Sequence, residues 1–273
     1  MRLSLGRILV FPIKSLDGVS VAEARVTARG ILEHDRIYAI VDAQGKFVNG
    51  KREARIHSLR CRYDAAVGEI EVWLQGSSSP ARFVLAEPEP LGRWLSDYFG
   101  YPVTLKHDAV TGFPDDREAF GPTVVGTASL AAVAGWYPGL DLETVRRRFR
   151  SNLELEGEAA PPFSEDSLFG APGELKPFAI GGVRLFGHNP CQRCVVPTRD
   201  PDTGEGLTGF QKEFMERRRL SLPDWANAVR FNHYYRFALN TSIPPSEAGK
   251  AMRIGDVVDP APSPMQVEGC PGI

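Results

Sequence analysis

The chain has 273 residues, 42% hydrophobic and 24% charged, the balance of a globular protein and not of a disordered one. Its 32 lysines and arginines against 34 aspartates and glutamates leave a net charge of −2, which excludes a whole-protein basic footprint for nucleic acid while allowing a local basic pocket. The length suits one elaborated domain or two modest ones, and the 27 glycines and 22 prolines, spread along the chain, mark tight turns between short elements.

The first hundred residues read as β-rich. Arg7 to Phe11 is an apolar run closed by Pro12, and Val19 to Thr27 alternates. Ile37 to Val41 ends at a turn signal around Gly45, with Lys46 to Val48 beyond it. Leu59 to Asp64 and Glu69 to Leu74 flank Val67 and Gly68 as a hairpin, and Arg82 to Leu85 is a further strand. Leu91, Trp94, Leu95 and Tyr98 then fall at helical spacing, with Gly100 as the stop. Short strands of this kind predict a small barrel.

The second half mixes element types. Ser129 to Trp136 and Leu142 to Phe149 pattern as helices, the latter capped by Asp141. Asn152 to Glu156 alternates, and Phe178 to Ile180 with Val183 to Phe186 frames a hairpin at Gly181 and Gly182. Gly209 to Leu220 reads as a charged amphipathic helix, Ala228 to Leu239 as aromatic-rich β structure, and Met252 to Val258 as a last strand. The boundary between halves is expected between Val103 and Phe120. Arg2 and Arg7 break the apolar run at the start, and the charge-free stretch Ala119 to Leu140 holds four glycines and two prolines. Neither a secretory leader nor a membrane span is expected, which places the chain in the cytoplasm, where thiols stay reduced.

The sharpest chemical signal is Cys191 and Cys194, a C-x-x-C followed by the turn from Asp200 to Gly204. A pair of buried structural cysteines, a zinc site in which His188 joins the two cysteines and a fourth ligand must come from Cys61, Cys270 or a distant histidine, and a thiolate lowered by Arg193 and ready for a soft metal are the three readings it supports. The proline and turn that follow disfavour a thioredoxin-like dithiol. Asp202 is a candidate proton donor, with a turn role as its alternative. Among the basic residues, Arg146 and Arg147 read as a solvated helix face. Lys14 with Ser15, Arg36, and Arg150 with Asn152 instead stand at strand ends and turns, where fixed donors converge on phosphates or polar heterocycles.

Taken in order, the stretch Val10 to Ser15, Gly30 with Asp35 and Arg36, Arg148 to Asn152, Glu165 with Asp166, the C-x-x-C with its turn, Asn240 to Pro245, and Ile254 to Asp256 resemble the MOSC family. The likeness runs from about Leu3 to Val258 and is nearest the branch of amidoxime-reducing components that carries its own N-terminal β-barrel. It implies a mixed α+β, β-rich fold, with an N-terminal barrel-like unit over 1–105 packed against a MOSC β-barrel with peripheral helices over 106–273. It implies a molybdenum cofactor in its molybdopterin form, with Cys194 as the metal ligand and catalytic residue. Lys14, Ser15, Arg36, Thr127, Ser129, Arg150, Asn152 and Arg193 are then the expected cofactor contacts; for Thr127 and Ser129 a helix N-cap is an equal reading.

The implied activity is reduction of N-hydroxylated or N- or S-oxide compounds. The chain has no pyridoxal-phosphate region and no plant-type ferredoxin cysteine pattern, so electrons are expected from a separate protein of ferredoxin or flavoprotein type. Partners on a membrane or nucleic acid are not expected. Leu168 stands where the reductase branch usually has tryptophan, and the loop Asn49 to Ala54 lacks an expected proline. The other reading of the resemblance is a non-catalytic cofactor carrier or sulfur-transfer protein. No role is assigned to Cys61, Cys191 or Cys270.

Overall fold

The structure is a computed structural model that describes residues 2–116 and 118–262; Cys270 lies outside the described residues. In chain order the N-terminal half contains β1 (Ser4–Val10), β2 (Val19–Val21), β3 (Glu23–Arg25), β4 (Tyr38–Asp42), β5 (Leu59–Tyr63), β6 (Glu69–Leu74), β7 (Ala81–Val84), α1 (Pro88–Phe99) and β8 (Val103–His107). The C-terminal half contains β9 (Val124–Gly126), α2 (Thr127–Gly135), α3 (Leu142–Phe149), β10 (Leu153–Glu156), β11 (Lys176–Ile180), β12 (Val183–Gln192), α4 (Phe210–Leu220), β13 (Arg236–Ser242), β14 (Ala251–Arg253) and β15 (Val258–Asp259). The chain is mixed α+β and strand-rich, as its turn-punctuated sequence predicts. Among the described residues no helix is long and apolar enough to cross a membrane.

Local chemistry sets most boundaries. Gly100 ends α1 in the left-handed region (φ 70°), returning its N–H to the Ser96 carbonyl. The Asp141 side chain accepts from the Thr144 N–H and starts α3. The hairpins β5–β6 and β11–β12 form in the predicted places, with Leu59 opposite Leu74 and Ile180 opposite Val183.

An eight-stranded sheet, ordered β15-β11-β12-β13-β9-β10-β1-β2, organises the C-terminal half, and it takes its last two strands from the N-terminus. Its core gathers Leu5, Ile8, Leu153, Phe178, Leu185 and Leu239. A second core around Ile40, Leu59, Val72, Leu91 and Leu95 fills the space between α1 and the small sheets β4–β8 and β5–β6–β7. A third, dominated by Phe149, Phe163, Phe210, Phe214 and Phe237, sits under α2, α3 and α4.

Three expected strands differ. The alternation of Val19 to Thr27 divides into β2, paired with β1, and β3, paired with β14. Ala228 to Leu239 is strand only from Arg236 onward, because Ala228–Arg230 forms a 3-10 turn and Phe231 stacks on Tyr234 instead of entering the sheet. Met252 to Val258 is broken by a turn at Gly255 (φ 91°), which sends β14 to β3 and β15 to β11.

Candidate functional site

A cavity of about 640 Å³ opens where the two halves meet, within the range of small-molecule sites. It brings together Lys14, Ser15 and Arg36 from the N-terminal half with Arg150, Asn152, Cys191, Arg193 and Cys194 from the other. Ten lysines and arginines line it against four aspartates, so the near-neutral chain concentrates positive charge here.

Backbone geometry delivers several of these side chains. Ser15, Arg36 and Arg150 have φ of 75°, 52° and 55°, the left-handed region that non-glycine residues rarely adopt. Arg150 is the residue that closes α3, its N–H bonded to the Arg146 carbonyl at 2.8 Å. Its guanidinium donates to the Leu16 carbonyl at 2.6 Å and lies 4.2 Å from the centre of the Phe11 ring. No carboxylate lies within ion-pair distance of it among the described residues, and burial together with the charge of Arg36 pulls its pKa down to about 10.

The other two cations carry their own counter-charges. Lys14 donates to Asp115 at 2.5 Å and to the Phe113 carbonyl at 2.9 Å, and burial lowers its pKa. Arg36 donates to Asp35; against the effect of burial, Asp35 and Asp115 hold its pKa up. Asn152, 1% exposed, has both ends of its amide occupied. Its nitrogen donates to the Leu9 carbonyl and to Asp35, each at 3.0 Å, while its oxygen accepts from Arg36 and Thr123. Asn152 therefore aligns Asp35 and Arg36 and has no free edge to offer a heterocycle.

The cysteine loop is fixed from α3. Arg148 donates to the carbonyls of Pro197 (3.1 Å) and Arg199 (2.5 Å). Arg193 donates to the Phe149 carbonyl at 2.5 Å and meets the sulfur of Cys191, not Cys194, at 3.3 Å. The Cys194 thiol lines the cavity and makes no hydrogen bond among the described residues. His188 turns away to Ser242 (2.7 Å), and no group of three His, Cys, Asp or Glu side chains among the described residues could hold a metal, which leaves the zinc reading unsupported.

Thr127 and Ser129 are not brought to the cavity. Thr127 donates to Glu154, and the fully buried Ser129 donates to Glu165 while accepting from the Phe163 N–H. Neither caps α2, whose N-cap is Gly126. Arg146 and Arg147 are not a solvated face either: Arg146 pairs with the buried Glu154, and Arg147 pairs with Asp202 at 2.5 Å. Asp202 is held between Arg147 and Arg60 of β5, 2.8 Å away, and the Arg147 hydrogen bond lowers its pKa. It joins the two halves as a carboxylate instead of donating a proton.

Several lining residues carried no sequence signal. The imidazole Nε2 of His57 is buried without a partner, and burial with the charge of Arg150 lowers its pKa to about 4, so the ring is neutral at pH 7. Arg230 and Arg236, from the aromatic stretch read as continuous strand, also face the cavity.

Comparison with known proteins gives two family matches: the MOSC N-terminal beta barrel domain over residues 3–89 and the MOSC domain over residues 123–259. The mitochondrial amidoxime-reducing component 1 of Homo sapiens is 25% identical over 74% of this chain and 67% of its own length. Its Mus musculus counterpart is 24% identical over 81% and 72%, and human component 2 is 22% identical over 74% and 68%.

Proposed function

The chain belongs to the MOSC family, a family associated with molybdenum cofactor binding, and from that premise we propose that it is a molybdenum-dependent reductase of N-oxygenated compounds. The names of its relatives, amidoxime-reducing components, support the reaction class. The observation that carries the reading is the cavity: among the described residues, a thiol without a hydrogen bond at one wall and a half-buried arginine without a carboxylate at another.

These residues fit such a group. The Cys194 thiol is the soft ligand a molybdenum centre takes. Arg150, with Lys14 and Ser15 of the same cavity, would hold a terminal phosphate, and the unpartnered Nε2 of the neutral His57 could offer the heterocycle one hydrogen bond. Once bound, the cofactor supplies the two-electron chemistry by which an N–O bond breaks and, with two protons, the oxygen leaves as water.

The protein's part is placement. Arg148 and Arg193 hold the cysteine loop against α3, Asn152 keeps Asp35 and Arg36 aligned, and Asp202 ties the two halves that share the cavity. The electrons come from a separate donor protein, and the chain acts in the cytoplasm.

The test is protein expressed in a host that makes the cofactor, assayed anaerobically for reduction of benzamidoxime by reduced methyl viologen. Stoichiometric molybdenum and turnover are expected. Cys194→Ser should lower turnover beyond the ~10–100-fold typical of losing an outer-shell partner of a metal, whereas Cys191→Ser should not. Bound molybdenum without turnover would overturn the reductase reading, and normal molybdenum content and turnover in Cys194→Ser would overturn the ligand assignment.

A further inference from the structure

The cavity holds more uncompensated positive charge than a cofactor with one phosphate needs. Of its cations, Lys14 and Arg36 meet Asp115 and Asp35, Arg60 and Arg147 share Asp202, and Arg148 reaches Asp200. Arg150 is placed for the phosphate, and Arg193 is engaged with Phe149 and Cys191. Apart from the exposed Lys51, Arg230 and Arg236 remain, neither with a carboxylate within ion-pair distance among the described residues.

Both are anchored to carbonyls of the strand that leads into Cys191. Arg236 stands opposite Gln192 in the β12–β13 register, and donates to the Pro190 carbonyl at 3.0 Å and to the Asn232 side chain at 2.8 Å. Arg230, from the turn before β13, donates to the His188 carbonyl and to the Ala171 carbonyl at 3.4 Å, and its Nε is buried without a partner. Burial lowers the pKa of each, and the charge of Arg230 lowers that of Arg236 further. Two half-buried guanidinium groups that repel each other, fixed by backbone carbonyls and lacking an anion, form a receptor for one.

We propose that Arg230 and Arg236 bind an anionic group of the substrate, so that the preferred substrates are acidic N-oxygenated compounds, carboxylates foremost. A carboxylate accepts bidentately from a guanidinium fork, and both forks line the wall that ends in Cys191. This rests on the reductase reading for its substrate class, but the anion site stands on the two arginines alone.

The experiment compares benzamidoxime with para-carboxybenzamidoxime on the cofactor-loaded protein, using reduced methyl viologen, and reads the ratio of the two kcat/KM values. Wild type should favour the acidic substrate by roughly tenfold or more, the scale of a charge-assisted hydrogen bond. That preference should shrink as salt rises from about 0.01 to 1 M. Arg230→Gln/Arg236→Gln should bring the ratio to near one, and Arg230→Lys/Arg236→Lys should keep part of it.

Because the arginines also hold β12 carbonyls, the salt dependence of the wild type tests the idea without any variant. Equal kcat/KM values in the wild type, or an unchanged ratio in the glutamine variant, would overturn it. So would loss of bound pterin in that variant with the ratio intact, which assigns the pair to the cofactor. If neither substrate is reduced by molybdenum-loaded protein, the reductase reading fails separately. Calorimetry with benzoate then decides the anion site: binding to wild type and not to the glutamine variant supports it, and equal or absent binding overturns it.

Discussion

Arg218 of α4 is a side chain whose replacement has a calculable effect. It is 1% exposed, donates to Asp166, itself 5% exposed, and lies between two rings, 4.0 Å from Phe163 and 4.8 Å from Phe231. Arg218→Met keeps most of the buried stem but leaves the Asp166 carboxylate inside the protein without a cation. Breaking a buried pair in this way costs about 3–5 kcal/mol. Unfolding entropy of about 2.1 cal/mol/K per residue over 273 residues is about 0.6 kcal/mol/K, so the melting temperature should fall by about 5–9 °C. Burial raises the Asp166 pKa while Arg218 opposes the rise, so the variant's carboxyl takes up a proton more readily. An acid whose pKa is raised by folding is least harmful below its unfolded value, and the gap to wild type should therefore narrow as pH falls. Removing both charges in Asp166→Asn/Arg218→Met should cost less than the two single changes added together, with a coupling of about 2 kcal/mol or more. Calorimetric melting and urea titration of the four proteins read these values. A cost below about 1 kcal/mol for Arg218→Met, or strict additivity, would refute the account.

Glu165, 1% exposed, has one oxygen bonded to Ser129 and the other unpartnered, and burial followed by the Asp166 charge pushes its pKa up. Its contribution is fully favourable below the unfolded carboxyl value and is lost as pH rises through the folded one. Glu165→Gln should thus match wild type near about pH 4 and exceed it by about 1–3 kcal/mol near about pH 8, in urea titrations at both values. Asn152→Ala removes hydrogen bonds to Leu9, Asp35, Arg36 and Thr123 and should lower stability by about 2–4 kcal/mol; unchanged unfolding would refute its role as a strut. Arg150→Gln should reduce bound pterin and molybdenum per chain at least about tenfold, and full retention would count against the phosphate assignment.

What the sequence made legible follows from range. The hairpin β5–β6, the Asp141 cap and the Gly100 stop depend on neighbours a few residues away, and their residue types announce them. The place of β1 does not: it pairs with β10, with Ser4 opposite Glu156, because Leu5 and Ile8 fill the same core as Leu153 and Leu155. Arg146 and Arg147 look like a solvated run until Glu154 of the next strand and the distant Asp202 meet them. Ser129 carries the right hydroxyl for a ligand, but Glu165 and the Phe163 N–H claim it first. Arg230 and Arg236 sit among aromatics whose pattern suggests only a strand. Their meaning depends on what is missing around them, and a sequence does not display a missing carboxylate.

Three of the eight non-glycine residues with positive φ among the described residues line the cavity. Glycine or asparagine is the ordinary occupant of a left-handed position such as the close of α3, and a non-glycine residue there costs about 1–2 kcal/mol. Arg150 holds that position in spite of the cost, as Ser15 and Arg36 do at theirs. A glycine would ease the turn but project nothing into the cavity. These three residues come from three separate segments, and all of them line the same 640 Å³. Arg150, half-buried at φ 55°, has no carboxylate within ion-pair distance among the described residues. Strain and unbalanced charge point the same way, toward the anion proposed for Arg150.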